Sequence, residues 1–131
     1  VLTDMLSDHH EHLETGEELS YHQSGIQKAV LRKLRRGQYR IEAEIDLHGH
    51  NSEEARQTLL EFLAYAQDQG YRCIRIIHGK GMSHTKGPVI KPLVNSWLRQ
   101  KPAITAFCSA RPQDGGTGAV YALLKSAKPQ N

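Results

Sequence analysis

The sequence predicts an α/β protein: a βαβαββ succession forming one mixed four-stranded sheet with two core helices, preceded by a basic helix. Three observations predict it. Two apolar runs, Glu44 to His48 and Tyr71 to Ile77, flank a capped amphipathic helix within about thirty-five residues. Strand, helix and strand in that span form a right-handed crossover with parallel strands. A second amphipathic helix and two further apolar runs then complete the sheet.

At 131 residues, with 38% apolar and 24% charged positions, the chain has the size and composition of one globular domain with its own core. No run reaches the length of a membrane span and no signal-peptide pattern opens the chain, although Val1 rather than Met suggests an imposed start. Cys73 and Cys108 both lie inside apolar runs, which favours buried, reduced thiols of a cytoplasmic protein over a disulfide. The net charge of +3 conceals a split. Residues 1–19 carry six acids and no Lys or Arg, so all 17 bases face eight acids elsewhere, a net of +9. A basic body behind an acidic arm suits a nucleic-acid binder, the arm competing for the basic surface.

Taken in order, residues 1–19 read as an acidic flexible arm, and the His9, His10 and His12 cluster as a solvated tail rather than a metal site. Residues 20–41 read as an amphipathic basic helix and linker. Ile26, Val30, Leu31 and Leu34 form its stripe from Ser20 to Arg36, and Gly37 stops it. Its other face offers Lys28, Arg32, Lys33, Arg35 and Arg36 to a phosphate backbone, or simply to water.

The first core strand is Glu44 to His48. Asn51 and Ser52 supply a helix cap, with Glu53 and Glu54 in the first turn. Ala55, Leu59, Phe62, Leu63 and Ala66 make the buried stripe, and Gly70 ends the helix. Cys73, Ile74, Ile76 and Ile77 make the second strand apolar on both faces, as a central parallel strand requires. After a loop over 79–87, Ile90, Leu93, Val94, Trp97 and Leu98 form the next helical stripe. Pro88 suits its first position, whereas Pro92 is awkward further in. Ile104 to Ala110 and Ala119 to Lys125 are the last strands, and the tail, 127–131, reads as disordered.

Two strands that end in His-Gly direct attention to their carboxyl ends. Parallel strands bring those ends to one edge, where ligands bind in open α/β sheets. Asp46 and His48 stand two apart and share a face. His78 ends the neighbouring strand, and Gly49, Gly79 and Gly81 let a ligand approach the backbone. Lys80, Lys86, Lys91 and Arg111 add positive charge, so phosphate is the natural ligand. Phosphodiester cleavage needs a base, an acid and cations. His48 oriented by Asp46 can be base or acid, and His78 a second acid or a phosphate contact. An Asp-His pair also fits a metal site, but no Cys joins it and no helical pair of histidines occurs. No aromatic-rich sheet face advertises base stacking: Tyr65, Tyr71, Tyr121 and Trp97, in or next to core elements, are the candidates, and packing is their plainer role.

From about Leu34 to Lys125 the chain resembles the Smr domain, the small MutS-related family found alone in bacteria and at the C-terminus of a MutS paralogue. The resemblance rests on Asp46-Leu47-His48-Gly49, His78-Gly79-Lys80-Gly81 and Gly115-Gly116-Thr117-Gly118-Ala119-Val120. Leu34 to Tyr39 resembles the segment that precedes the domain in stand-alone members. The family implies a two-layer α+β sandwich similar to the C-terminal domain of translation initiation factor three, here over residues 42–126. It also implies nicking or cleavage of DNA or RNA, including ribosome-bound messages. Residue by residue, it implies Asp46 and His48 as catalytic, His78, Gly79 and Gly81 as active-site or nucleic-acid contacts, and Gly115 and Gly116 as loop residues beside them.

The expected function is therefore an endonuclease acting on nucleic acid, as a monomer, with a ribosome as a further partner and no membrane. Two alternatives stay open. One is a non-catalytic module binding structured nucleic acid or a ribosome, and the other an enzyme of small phosphate esters. The sequence assigns no metal ligand and leaves a divalent cofactor, the choice of DNA or RNA and the role of the Met82–Lys86 loop open.

Overall fold

The computed structural model describes residues 17–80 and 90–125. The expectations for 1–16, including the histidine cluster, for the 81–89 segment with Pro88, and for the tail from 126 lie outside the described residues. Among the described residues the strands and α-helices are β1 (Ser20–His22), α1 (Lys28–Arg35), β2 (Ala43–Asp46), α2 (Ser52–Gln69), β3 (Cys73–Ile77), α3 (Ile90–Arg99), β4 (Ile104–Ser109) and β5 (Ala119–Leu124). They build a mixed sheet in the order β1-β4-β5-β3-β2.

The βαβ unit is as the sequence predicts. β2 and β3 run parallel, with Ile45 opposite Ile76 and Asp46 opposite Ile77. All other pairs are antiparallel. The helix between them owes its sharp start to reciprocal bonds. The Asn51 side chain accepts the Glu54 amide at 2.8 Å, and the Glu54 carboxylate accepts the Asn51 amide at 3.1 Å. It ends where Gly70 takes a left-handed conformation, φ 74°.

α2 and α3 cover one sheet face. Leu59, Leu63, Leu93, Val94, Trp97 and Leu98 pack there on Ile74, Ile76, Phe107 and Val120. Nearly every residue of β3, β4 and β5 is buried, as strands covered on both sides require. The other face is covered by α1, whose Leu34, Val30 and Leu31 meet Cys108, Tyr121 and Leu123. Cys73 and Cys108 are free and buried; burial pushes their thiols up to about 12 and about 11, so they are inert packing groups.

Two expectations are corrected. The sheet has five strands rather than four, because Ser20 to Arg36 is not one helix. Its first residues form β1, which pairs with β4 and sets Tyr21 against Phe107 at 5.3 Å between ring centroids. The Gln23 side-chain amide donates to the carbonyls of Pro102 and Ile104, and Gly25 turns the chain at φ 87°. Tertiary pairing thus overrides local composition, since three residues carry too little periodicity to declare a strand. Lys91 is the other. It lies on α3 at 0% exposure and donates to the Glu17 carbonyl, so it tethers the segment before β1 instead of adding surface charge.

The cap of α2 gives a direct check on this account. Asn51→Ala should lower stability by about 1 kcal/mol. That corresponds to a fall in Tm of about 4 °C. Denaturant titration should show a shifted midpoint with an unchanged slope.

Candidate active site at the carboxyl edge of the sheet

The parallel register of β2 and β3 carries both strand ends to one edge, and β5 begins at the same edge, with Ala119 opposite Ile77. After Asp46 the chain keeps its alternation for two residues. The Leu47 amide bonds the Ile77 carbonyl at 2.7 Å and its side chain is fully buried, while Asp46 and His48 both face solvent. The same Asp46 oxygen accepts the His48 amide at 3.0 Å and His48 Nδ1 at 2.6 Å. A carboxylate can only accept, so the proton sits on Nδ1 and the lone pair of Nε2 points away from the pair. The side chains are 68% and 49% exposed, so the contact contributes little to stability and acts to orient the ring. Partial burial raises the Asp46 pKa, but the two hydrogen bonds from His48, and its charge whenever that ring is protonated, outweigh it and hold the carboxyl below its ordinary value.

His78 is placed differently from the expectation. It does follow β3 at this edge, but it is 2% exposed. Its Nδ1 donates to the Gly79 carbonyl at 2.6 Å, and Nε2 is buried with no hydrogen-bond partner among the described residues. Burial, helped by the charge of Lys91, pulls its pKa down to about 4. At pH 7 the ring of His78 is therefore neutral and enclosed, whereas that of His48 faces solvent.

What His78 and Gly79 do hold is the facing turn. Their amides both bond the Gly118 carbonyl at 2.9 Å. The turn runs through two short 3₁₀ segments, Pro112–Asp114 and Gly116–Gly118. Gly49, Gly79, Gly115 and Gly116 all take positive φ. Gly115 could not be replaced without a shift, because a Cβ there would lie 2.8 Å from that of Ala119. Lys80 is exposed and lies along this turn, with Nζ 4.0 Å from the Cβ position of Gly116. A Cβ on Gly79 would stand 3.5 Å from that of His48, so imidazole and glycine turn are neighbours.

Arg111 braces the turn. Its amide and Nε donate to the Tyr121 hydroxyl at 3.2 and 3.3 Å, and its Nη2 reaches Asp114 at 3.4 Å. The Tyr121 hydroxyl in turn donates to Asp114. That bond, more than Arg111 and Arg75, holds the Asp114 carboxyl below its ordinary range. The charge expected from Arg111 is thus partly engaged within the protein. Gly37 closes the brace from α1: its φ is 67°, and a Cβ there would lie 2.4 Å from Arg111 Nε and 2.9 Å from the Tyr121 hydroxyl, so a larger residue would strain the turn and displace the brace. The end of α1, with exposed Arg32, Arg35 and Arg36, is thereby brought to the same edge from the opposite sheet face. Sequence reasoning missed Asp114 and gave Gly118 no role beyond its place in the Gly115 to Val120 run, because neither a turn carboxylate nor a backbone carbonyl leaves a periodic signal. Gly81, Lys86 and the rest of their loop lie outside the described residues. Among those described, no group of three or more His, Cys, Asp or Glu side chains is arranged to hold a metal ion. No helix there is long and apolar enough to cross a membrane.

Comparison with known proteins adds independent findings. The Smr domain family matches residues 45–125. The chain is 36% identical over 119 residues to the probable DNA endonuclease SmrA of Escherichia coli (strain K12), covering 86% of this chain and 63% of that protein. It is 34% identical over 113 residues to the ribosome rescue factor SmrB of Aeromonas hydrophila, covering 86% and 62%. It therefore spans less than two thirds of either relative. Among solved structures, YdaL, a stand-alone small MutS-related protein from Escherichia coli, is similar at a TM-score of 0.81 and 31% identity, covering 95% of this chain and 97% of that one. The Smr domain of Thermus thermophilus MutS2 is similar at 0.57 and 28% identity, covering 63% and 98%.

The buried His78 makes stability depend on pH in a fixed direction. Its folded pKa, about 4, lies below the ordinary 6.5, so the unfolded chain binds the extra proton between those values. The stabilising contribution of the neutral ring is complete above pH 6.5 and is lost as pH falls toward 4, by about 3 kcal/mol in all. Denaturation midpoints across this window should fall less steeply for His78→Gln than for the parent chain.

Proposed function

The chain belongs to the Smr domain family, and from that premise and the geometry of its strand edge we propose that it cleaves phosphodiester bonds of nucleic acid. The observation that carries this reading is the Asp46–His48 pair, which turns the unprotonated Nε2 of an exposed imidazole toward solvent beside Lys80 and a glycine turn. Such a nitrogen can take a proton from an attacking hydroxyl, and an ionised Asp46 stabilises the imidazolium that results. Lys80 and the open backbone of Gly49, Gly79 and Gly116 suit the phosphate, which gains negative charge as the new bond forms.

Residues 42–126 act as the cleaving unit in this proposal, and residues 20–41 as a backbone clamp, with Arg32, Arg35 and Arg36 on α1 holding flanking phosphates. His78 supports rather than reacts: its amide and that of Gly79 hold Gly118, which sets the distance between the turn and His48. The name of SmrA supports DNA as a substrate, and that of SmrB supports a substrate presented on a ribosome. A binding role without cleavage is the second reading, favoured by the basic face of α1, which needs no catalytic group.

One experiment separates the two. His48→Ala should cut turnover of labelled DNA or RNA by about 100-fold or more. Binding should persist. Replacing Arg32, Arg35 and Arg36 together by Ala should weaken binding and flatten its log–log salt slope by roughly 2 to 3. Cleavage of equal strength by His48→Ala and the parent would assign the activity to another protein.

A further inference from the structure

An imidazole base at the edge does half of a phosphoryl transfer; the leaving oxygen also needs a proton. His78 is enclosed, so the second group must come from elsewhere. Two residues beyond His48, on the same turn, stands His50. Its amide bonds the Leu47 carbonyl at 3.1 Å, and its Nδ1 donates to that same carbonyl at 3.0 Å. This fixes the ring as His48 is fixed by Asp46: Nδ1 anchored inward, Nε2 without a hydrogen-bond partner among the described residues. His50 is partly exposed and lines a cleft of about 460 Å³ with Glu53, Glu54, Gln57 and Thr58, at the start of α2. It is also close enough to Asp46 for its charge to act on that carboxylate. Glu54 is committed to the helix cap and Glu53 to Arg56, at 2.7 Å, so neither carboxylate is bound to the ring.

We infer that His50 is the proton donor to the leaving oxygen, paired across one turn with His48 as base. The inference rests on the cleavage proposed above. An oxygen nucleophile, water or a hydroxyl of the substrate, gives its proton to His48 Nε2 as its bond to phosphorus forms. The bond from phosphorus to the leaving nucleoside oxygen breaks, and that oxygen takes the Nε2 proton of His50, which enters the step as the imidazolium and leaves it neutral, while His48 enters neutral and leaves charged. Exchange with solvent returns both rings to their starting states. Histidine suits both tasks because its charge changes between pH 5 and 8.

The test uses two substrates of one sequence, one with its ordinary leaving oxygen and one with sulfur at that bridging position, chosen from the termini the parent chain produces. A thiolate leaves without being protonated. His50→Ala, and His50→Asn, whose amide can keep the Leu47 bond, should slow cleavage of the oxygen substrate by about 100-fold. On the sulfur substrate both should stay within about three-fold of the parent, while His48→Ala is slow on both. Equal slowing of both substrates by the His50 variants would reduce His50 to a positioning role and overturn the inference. So would parent-like rates on the oxygen substrate. A parent chain that cleaves neither substrate would instead overturn the nuclease reading itself.

Discussion

The parallel pairing of β2 with β3 is the constraint on which the edge depends. Ile45 opposite Ile76 and Asp46 opposite Ile77 set the register, and the Leu47 amide extends it by one bond beyond the strand. Because side chains alternate along extended backbone, a slip of one residue would turn Asp46 and His48 into the core and Leu47 into water. The fully buried Leu47 therefore acts as a lock. Its burial under α2 and α3 opposes that slip and holds a charged pair at the surface without burying either charge.

The two His-Gly sequences do different work for that reason. After Asp46 the chain turns toward solvent, so His48 meets a carboxylate and water. After Ile77 it meets the turn from β5, and the Gly118 carbonyl captures two successive amides. His78 is folded beneath that junction, where desolvation removes its charge. One imidazole is held by a carboxylate and faces solvent, and the other is enclosed and bonded to the Gly79 carbonyl. The Arg111–Tyr121–Asp114 brace continues this logic on the other side, joining the glycine turn to the end of α1 through Gly37. The cationic helix and the strand edge are thus joined through this side-chain brace.

Much of this was legible in the chain. Capping residues, helical stripes and the unbroken apolar run of β3 placed α2, α3 and the βαβ unit, and Asp46, His48 and Gly79 do meet at one edge. What escaped has common physical causes. β1 is three residues long and exists through pairing with β4, which no local pattern reports. Lys91 looked like a surface cation, but its stem lies in an apolar stripe and its head finds the Glu17 carbonyl. The fate of His78 depends on Gly118, forty residues away, whose contribution is a carbonyl oxygen. Arg111 reads as a free charge in the sequence, but the turn that follows it supplies Asp114 and the last strand brings Tyr121 to it.

The central claim is that Asp46 fixes His48 with the proton on Nδ1 and the lone pair on Nε2. Long-range ¹H–¹⁵N correlation of the His48 ring, in the intact chain at a pH where the ring is neutral, reads this directly. The geometry predicts a protonated Nδ1 and a bare Nε2, and loss of that preference in Asp46→Ala. A ring that is protonated on Nε2, or one indifferent to the removal of Asp46, would contradict the account.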